Sequence, residues 1–257
     1  MPPSTDPSAP TQPSALRIPD DVWFVVLERN ELSYADLKRF SRVCKRFHEY
    51  EQDPSLDTRF FRSPPVDKLE KGQSVTFHPA LDKTNLVCMS VDDASIFVDD
   101  ASEKNGYRDV RVVDYPCADE YATSPASKIV SLNMGEGVAV VKDSGVTVRD
   151  VVEASATMWS SKPPLYIREE IAEMYLPLDP DYDLDTVTWR DTLVDHCFYE
   201  GMNLATVPRA DGVVVLHPHG FGSRVGVVSR LCRDIHTFSL LPFSGFLTPL
   251  GLYLRRV

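Results

Sequence analysis

The sequence predicts an α+β protein in which a small three-helix module precedes a larger mixed domain. From residue 18 to residue 61, apolar residues recur every three or four positions, which is the period of an amphipathic helix. From about Lys68 onward, short β-branched runs alternate with turn residues and further helical patterns. The length of 257 residues also exceeds the ~100–150 of a typical domain. We therefore expect a tail over 1–16, a helical module over 17–63 and an α+β domain over 68–257.

The first helix should begin after a disordered tail. The tail is rich in Pro, Ser and Thr and has few large apolar residues, so it cannot bury enough surface to offset the entropy of ordering. Pro19 has the backbone angle of a first helical position, and Asp20 and Asp21 complement the positive end of the helix dipole. The apolar stripe of this helix is Val22, Val25, Val26 and Leu27.

A second helix is predicted from Ser33 to Phe47. Ser33 is a candidate N-cap, and Asp36 follows three residues later as in a capping box. Apolar residues follow one helical face, and basic residues occupy the rest. That apolar face consists of Leu37, Phe40, Val43, Cys44 and Phe47. Residues 56–61 should add one or two helical turns before the prolines at 64 and 65.

The larger domain should combine short strands with three helices. Strands are predicted at 86–91, 110–113, 128–132 and 138–141, where β-branched residues lie between Asp, Asn, Gly and Pro. A helix capped by Thr147 and Asp150 should follow, and two more are predicted at 166–175 and 186–199. The residues expected to face inward are Val148, Val151, Val152, Ser155, Trp159, Ile167, Ile171, Met174, Trp189, Leu193, Cys197 and Phe198. Residues 212–228 should form two strands around a glycine-rich turn, and the apolar segment 238–254 should form a closing strand or a buried segment.

Composition limits the compartment and the partners. The net charge of −11 argues against a surface that attracts phosphate as a whole. The five cysteines are scattered without a Cys-x-x-Cys pair, which is typical of reduced thiols inside a cell. No apolar run approaches the ~18–20 residues that span a bilayer, and the N-terminus has no secretory pattern. We expect a cytoplasmic or nuclear protein without membrane contact.

The helical module resembles an F-box. The family pattern opens with Leu-Pro, an acidic residue two positions after the proline and an apolar helix; later come Asp-Leu and then Val-Cys followed by basic and aromatic residues. This chain has Ile18-Pro19, Asp21, Val22 and Val26-Leu27, and then Asp36-Leu37 and Val43-Cys44-Lys45-Arg46-Phe47. It departs from the pattern in having Ile for the leading Leu and Asp for the usual Glu. The two halves occur in the family's order and at its separation.

The resemblance implies a protein-binding role without catalysis. F-box modules dock through an apolar surface onto the Skp-type adaptor of cullin-RING ubiquitin ligases, and the rest of the chain captures a substrate. The expected partners are thus a Skp-type adaptor, through it a cullin, and an unknown protein substrate, with no catalytic residue, metal or cofactor in this chain. The expected docking residues are Ile18, Pro19, Val22, Val26, Leu27, Leu37 and Val43. Their division between core and interface stays open, because both need apolar residues.

The larger domain is similar, in short stretches, to a fungal domain of unknown function that often occurs alone or behind F-boxes. The similar stretches are residues 77–81, 122–132, 145–154 and 198–204. That family has no assigned chemistry. The similarity therefore supports the placement of a domain and implies nothing about mechanism.

Other site types are weighed against simpler interpretations. The possible zinc ligands are His196, Cys197, His217, His219, Cys232 and His236. Pro218 interrupts the closely spaced histidines at 217 and 219, and no second paired spacing completes a zinc finger. The acidic loop 179–185 lacks the glycine and glutamate of an EF-hand, and 220–226 is better explained as a hairpin turn than as a phosphate loop. The basic residues of 38–46 are interpreted as a solvated face, so no nucleic acid is expected.

Two alternative functions stay open. The second domain could be an enzyme or bind a small ligand, with a degenerate F-box attached. A polar pocket where His196, His217, His219 and Asp residues converge would favour that alternative. An F-box scaffold that acts outside ubiquitin ligation is the other possibility.

Overall fold

The chain is an α+β protein of two compact units. The structure is a computed structural model, and it describes residues 18–29, 31–99, 107–133, 137–177, 180–193, 198–199, 201, 208–217 and 221–222. One unit extends to Phe60, and the other begins at Phe61. Phe60 is buried in the core of the first unit, whereas the Phe61 ring contacts His78 in the second, with 4.6 Å between ring centroids. The boundary therefore precedes the prolines at 64 and 65. The predicted tail over 1–16 lies outside the described residues.

The first unit is a cluster of short helices around an aromatic core. Its helices are α1 (Asp20–Leu27), α2 (Tyr34–Ser41) and α3 (Lys45–Glu51), followed by a 3-10 turn at Pro54–Leu56. The buried residues that form its core are Leu27, Leu37, Phe47, Tyr50, Leu56 and Phe60. The predicted capping box of α2 is confirmed: the Ser33 hydroxyl accepts from the Asp36 N–H at 3.2 Å, and the Asp36 carboxylate accepts from the Ser33 N–H at 3.2 Å.

The prediction of one helix from Ser33 to Phe47 is wrong, because the chain reverses between α2 and α3. Cys44 is extended, with φ −161° and ψ 167°, and precedes α3 as its N-cap residue. The reversal stacks the rings of Phe40 and Phe47 with their centroids 3.9 Å apart. Residues seven apart in one straight helix are separated by about 10.5 Å along the axis. The gain from this aromatic contact favours two short helices over one long one.

Over its described residues, the second unit combines small sheets with three helices. Its strands and helices are β1 (Thr76–Phe77), α4 (Pro79–Lys83), β2 (Ser95–Asp99), β3 (Tyr107–Arg111), β4 (Thr123–Ser124), β5 (Ile129–Leu132), β6 (Val138–Val141), α5 (Val148–Ser160), α6 (Leu165–Tyr175), β7 (Phe198–Tyr199), β8 (Val214–Leu216) and β9 (Phe221–Gly222). The strand β5 pairs antiparallel with β6 and parallel with β8. The pairs β1–β4, β2–β3 and β7–β9 are antiparallel. Within the described residues, no helix is both long and apolar enough to cross a membrane.

Two of the three predicted helices in this unit are confirmed. The helix α5 has the predicted Thr147–Asp150 capping box. Its predicted inward residues Val148, Val151, Val152, Ser155 and Trp159 are all buried. In α6, Ile167 and Ile171 are buried as predicted, but Met174 is 41% exposed. The buried face of α6 is centred near Ile171 and Ala172, and in the last turn Tyr175 stacks on Tyr182 instead.

The predicted helix at 186–199 is wrong. The chain forms 3-10 turns at Leu184–Thr186 and Trp189–Leu193, and Phe198 lies in β7. The carboxylate of Asp191 accepts hydrogen bonds from the N–H and the hydroxyl of Thr188, at 2.7 and 2.8 Å. Such local side-chain bonds compete with a continuous helix. Trp189 is buried as predicted and Leu193 is half-buried, while Cys197 lies outside the described residues.

Some predicted strands also differ. Residues 86–88 are buried without strand pairing, because side chains take their backbone groups: the Ser155 hydroxyl donates to the Leu86 carbonyl at 2.7 Å, and the Asn85 side chain accepts from the Val87 N–H at 3.1 Å. The predicted strand 110–113 instead ends β3 and continues into a 3-10 turn at Val112–Asp114. The strands β5, β6 and β8 occur where predicted. The second strand of the glycine-rich pair and the segment 238–254 lie outside the described residues.

Candidate protein-docking site

The inner face of α1 packs against the aromatic core of the first unit. The Trp23 ring lies 4.8 Å from the Phe47 ring and 5.4 Å from the Phe40 ring, measured between centroids. The centroids of the Phe24 and Tyr50 rings are 5.0 Å apart, and Leu27 is 2% exposed. This face therefore packs on the unit's own core, with Leu27 buried and Trp23 and Phe24 half-buried.

The outer face of α1 is also apolar but is exposed. Val22, Val25 and Val26 are 45%, 57% and 36% exposed. They occupy positions i, i+3 and i+4, so they share one side of the helix, roughly opposite to the inner residues. We call these three residues the valine face. A helix that is apolar on both sides is normally covered on both. The valine face is thus a candidate surface for a partner.

The seven predicted docking residues separate into core and surface. Leu27 and Leu37 are buried at 2% and 1% exposure, so they belong to the core and are not available to a partner. Ile18 is half-buried and Pro19 is exposed, whereas Val43 is 68% exposed in the turn before α3. The exposed members of the predicted set are Pro19, Val22, Val26 and Val43. Val25 was not in that set, although its spacing of three from Val22 was a usable signal.

Arg59 fixes the end of α1. Its guanidinium donates hydrogen bonds to the carbonyls of Leu27, Arg29 and Leu32, the Arg29 contact being 2.6 Å. These carbonyls lie in and after the last turn of α1, where helix carbonyls have no partner within the helix. Burial lowers the pKa of Arg59 from its usual value. Arg59 therefore positions α1, and with it the valine face, from 32 residues away in sequence.

The start of α1 is tied to α3 by Asp20. The Asp20 carboxylate accepts hydrogen bonds from the Tyr50 hydroxyl and from the Arg46 Nε, the latter at 2.9 Å. Arg46 also donates to the Ile18 carbonyl at 2.8 Å. The hydrogen bond from Tyr50, followed by that from Arg46, lowers the pKa of Asp20 from its usual value. Both ends of the helix are thus held by charged or polar contacts, and the middle by apolar ones.

The basic residues of 38–46 are only partly a solvated face. Lys38 is 22% exposed and pairs with the buried Glu51 at 2.5 Å, with its ammonium 4.9 Å from the Phe60 ring centroid. Arg46 is 27% exposed because it binds Asp20. The exposed members of the stretch are Arg39, Arg42 and Lys45, of which Arg39 pairs with Asp36 and Lys45 with Glu49. Cys44 lies half-buried against the core, as expected of a small packing residue.

The second unit contains some of the residues that were weighed as metal ligands and disfavoured in favour of simpler interpretations. His217 lies with its Nδ1 3.1 Å from the Asn133 amide nitrogen. His196, Cys197, His219, Cys232 and His236 lie outside the described residues. Over the part of the chain that the structure describes, no three His, Cys, Asp or Glu residues are placed to hold a metal. In the acidic loop, Asp183 accepts from the Asp185 N–H, and Asp185 pairs with Arg168 at 3.0 Å.

One buried polar pair was not predicted from the sequence. His78 Nε2 lies 3.0 Å from a carboxylate oxygen of Glu120, and neither residue is exposed by more than 8%. His78 Nδ1 accepts from the Ala80 N–H at 3.1 Å, so the neutral ring has its proton on Nε2 and donates it to Glu120. The residue serves as the N-cap of α4. Its position directly before Pro79 was the only sequence signal for this role.

A shallow groove of about 410 Å³ lies beside α5. It is lined by Gly137, Val138, Ala154, Thr157, Met158, Ser161 and Trp189. None of these described lining residues has a side chain that serves as a general acid or base near neutral pH. Comparison with known proteins found no matching family model, no matching curated protein and no matching solved structure.

Proposed function

We propose that this chain is an F-box substrate receptor: its helical unit docks the Skp-type adaptor of a cullin-RING ubiquitin ligase, and its α+β unit captures a protein substrate. The observation that carries the proposal is the exposed valine face on a helix whose other side already fills its core. The F-box resemblance supplies the identity of the partner. The ligase's other subunits perform the chemistry, in the cytoplasm or nucleus.

The energetics favour an apolar partner for this face. Complete burial of a valine is worth roughly 1.5 kcal/mol, and these three side chains are about half exposed. Covering the valine face would therefore yield on the order of 2 kcal/mol. The exposed Val43 and Pro19 occupy positions that the family pattern also assigns to docking, and they would extend the apolar contact. The buried Leu27 and Leu37 support the surface from within.

Co-purification of the full chain with a Skp-type adaptor and a cullin tests the proposal. We expect the wild type to retain both proteins. The variant Val22→Asp/Val25→Asp/Val26→Asp should lose both, because it places charge on the apolar contact while leaving the core unchanged. The matched control is Ala35→Asp, which adds a carboxylate to an exposed position in the first turn of α2. This control should retain the adaptor.

Three outcomes are informative. Failure of the wild type to bind the adaptor, or undiminished binding by the triple variant, would overturn the proposal. Retention of the adaptor without the cullin would favour a scaffold that acts outside ubiquitin ligation. A circular dichroism spectrum of the triple variant identical to that of the wild type is required for the loss to be assigned to the interface.

A further inference from the structure

The outer face of α6 has apolar side chains at both ends and carboxylates in the middle. One stripe of this helix contains Leu165, Glu169, Glu173 and Leu176, at spacings of four, four and three. The neighbouring stripe contains Tyr166, Glu170 and Met174, at spacings of four. All seven residues are exposed, and the apolar ones are between 41% and 54% exposed. We call these seven residues the α6 outer face.

The three glutamates are unfavourable for α6 itself. Glu169 and Glu173 are four residues apart and Glu170 and Glu173 are three apart, so their like charges repel each other. Glu173 also lies near the negative end of the helix dipole, and the last turn has no basic residue. Among the described residues, no ion pair compensates any of the three. The exposed glutamate of α3, Glu49, by contrast has Lys45 four residues before it.

The negative field continues beyond the helix. From Glu169 to Trp189 the sequence contains no Lys or Arg. Tyr182 stacks on Tyr175, with centroids 5.2 Å apart, and this contact holds the acidic loop against the C-terminal end of α6. Asp181 and Asp183 of that loop are exposed. A cationic partner along α6 would therefore meet carboxylates over the helix and past its end.

We propose that the α6 outer face binds a basic amphipathic helix of a partner protein. Leu165 and Leu176 lie about 16 Å apart along the axis, which corresponds to three helical turns of the partner. The matching segment has Lys or Arg in its middle turn and apolar residues in its first and last turns. Binding removes both the charge repulsion and the apolar exposure of α6. This inference does not depend on adaptor docking; if the chain is a substrate receptor, it defines the class of segment that a substrate presents.

The test measures binding of a fluorescent 15-residue peptide to the full chain. The peptide has an Ala-rich helical background, Leu in its first and last turns and three Lys in the middle turn; a second peptide has Glu in place of Lys. We expect the Lys peptide to bind and to become helical, with binding weakened by salt. The Glu peptide should not bind. Equal binding of the two peptides, or no binding of the Lys peptide, would contradict the proposal.

Variants separate a specific surface from general attraction by an acidic protein. Glu169→Gln/Glu170→Gln/Glu173→Gln should raise Kd roughly tenfold, because it removes three exposed charge contacts. The matched control Asp21→Asn/Glu28→Gln/Glu31→Gln removes the same charge from exposed positions of the first unit and should leave Kd within about twofold. Leu165→Ser/Leu176→Ser should also weaken binding. If the control lowers affinity as much as the α6 variant, or if the leucine variant has no effect, the surface is not the one proposed.

Discussion

The helices α1 and α5 use their apolar residues in opposite ways. The 13 residues of α5 bury all of their large apolar side chains, and they expose Glu153, Thr157 and Ser160. The eight residues of α1 pack one face on the core of their unit and leave Val22, Val25 and Val26 exposed. The apolar pattern of α5 is therefore explained by its own core. That of α1 exceeds what the described residues of its unit cover, and this excess is the reason for the proposed partner.

The largest expected effect on stability is in α5, whose large apolar side chains are all buried. Trp159→Ala should lower the free energy of unfolding of the second unit by about 3–5 kcal/mol, because the ring is 1% exposed and its removal leaves a cavity. Val25→Ala in α1 should change stability by less than about 0.5 kcal/mol. Hydrogen exchange with mass spectrometry reports each unit separately. A comparable loss from Val25→Ala would mean that the valine face is covered within the chain.

A smaller effect is expected from the residue that positions α1. Arg59→Met keeps much of the side-chain stem but removes the hydrogen bonds to three carbonyls, and should cost the first unit about 2 kcal/mol. Adaptor binding should fall with it, since α1 loses its fixed end. Arg59→Lys is the matched variant, and it should recover only part of the loss because an ammonium cannot span the same acceptors. Full recovery by Lys would show that charge alone suffices.

Local sequence signals were sufficient to predict the buried face of α5, but they did not show which apolar residues of α1 are buried and which are exposed. A capping box depends on residues within one helical turn, and the capping boxes at Ser33 and Thr147 were both predicted correctly. The reversal at Cys44 was missed because the apolar spacing continues across it. Val26 and Leu27 are adjacent and equally apolar, yet one is exposed and the other buried. Their roles depend on about 100° of helix rotation and on Arg59, which lies far away in sequence.

The two capping boxes allow a matched comparison between the units. Ser33→Ala and Thr147→Ala should each cost about 1 kcal/mol, because each leaves a helix N–H without its acceptor. The costs should be similar although one helix belongs to each unit, since capping is local. Urea denaturation of the full chain, with hydrogen exchange to assign the unit, measures both. A loss confined to one variant would indicate that the cap is coupled to tertiary packing there.

The smallest effect concerns the other end of α1 and depends on pH. The pKa of Asp20 is lowered by the hydrogen bond from Tyr50 and then by that from Arg46. A lowered pKa stabilises the fold when the carboxyl is ionised, so the contribution is fully present above the usual pKa of 3.8 and is lost progressively as the pH falls from there through the lowered pKa. Asp20→Asn should therefore lower the Tm of the first unit at pH 7 and have a smaller effect at pH 3. An equal effect at both pH values would contradict this account.

The contacts of Arg59 also show where a fragment must end to include the complete first unit. A fragment ending at Glu51 would contain every motif by which the module resembles an F-box. It would nevertheless lack Leu56 and Phe60 from the core and the guanidinium that caps α1. The sequence motif therefore ends before the structural unit does. Transferring the valine face to another protein would require the chain through Phe60, and a graft chosen from the motif alone would carry the surface without the residues that hold it in shape.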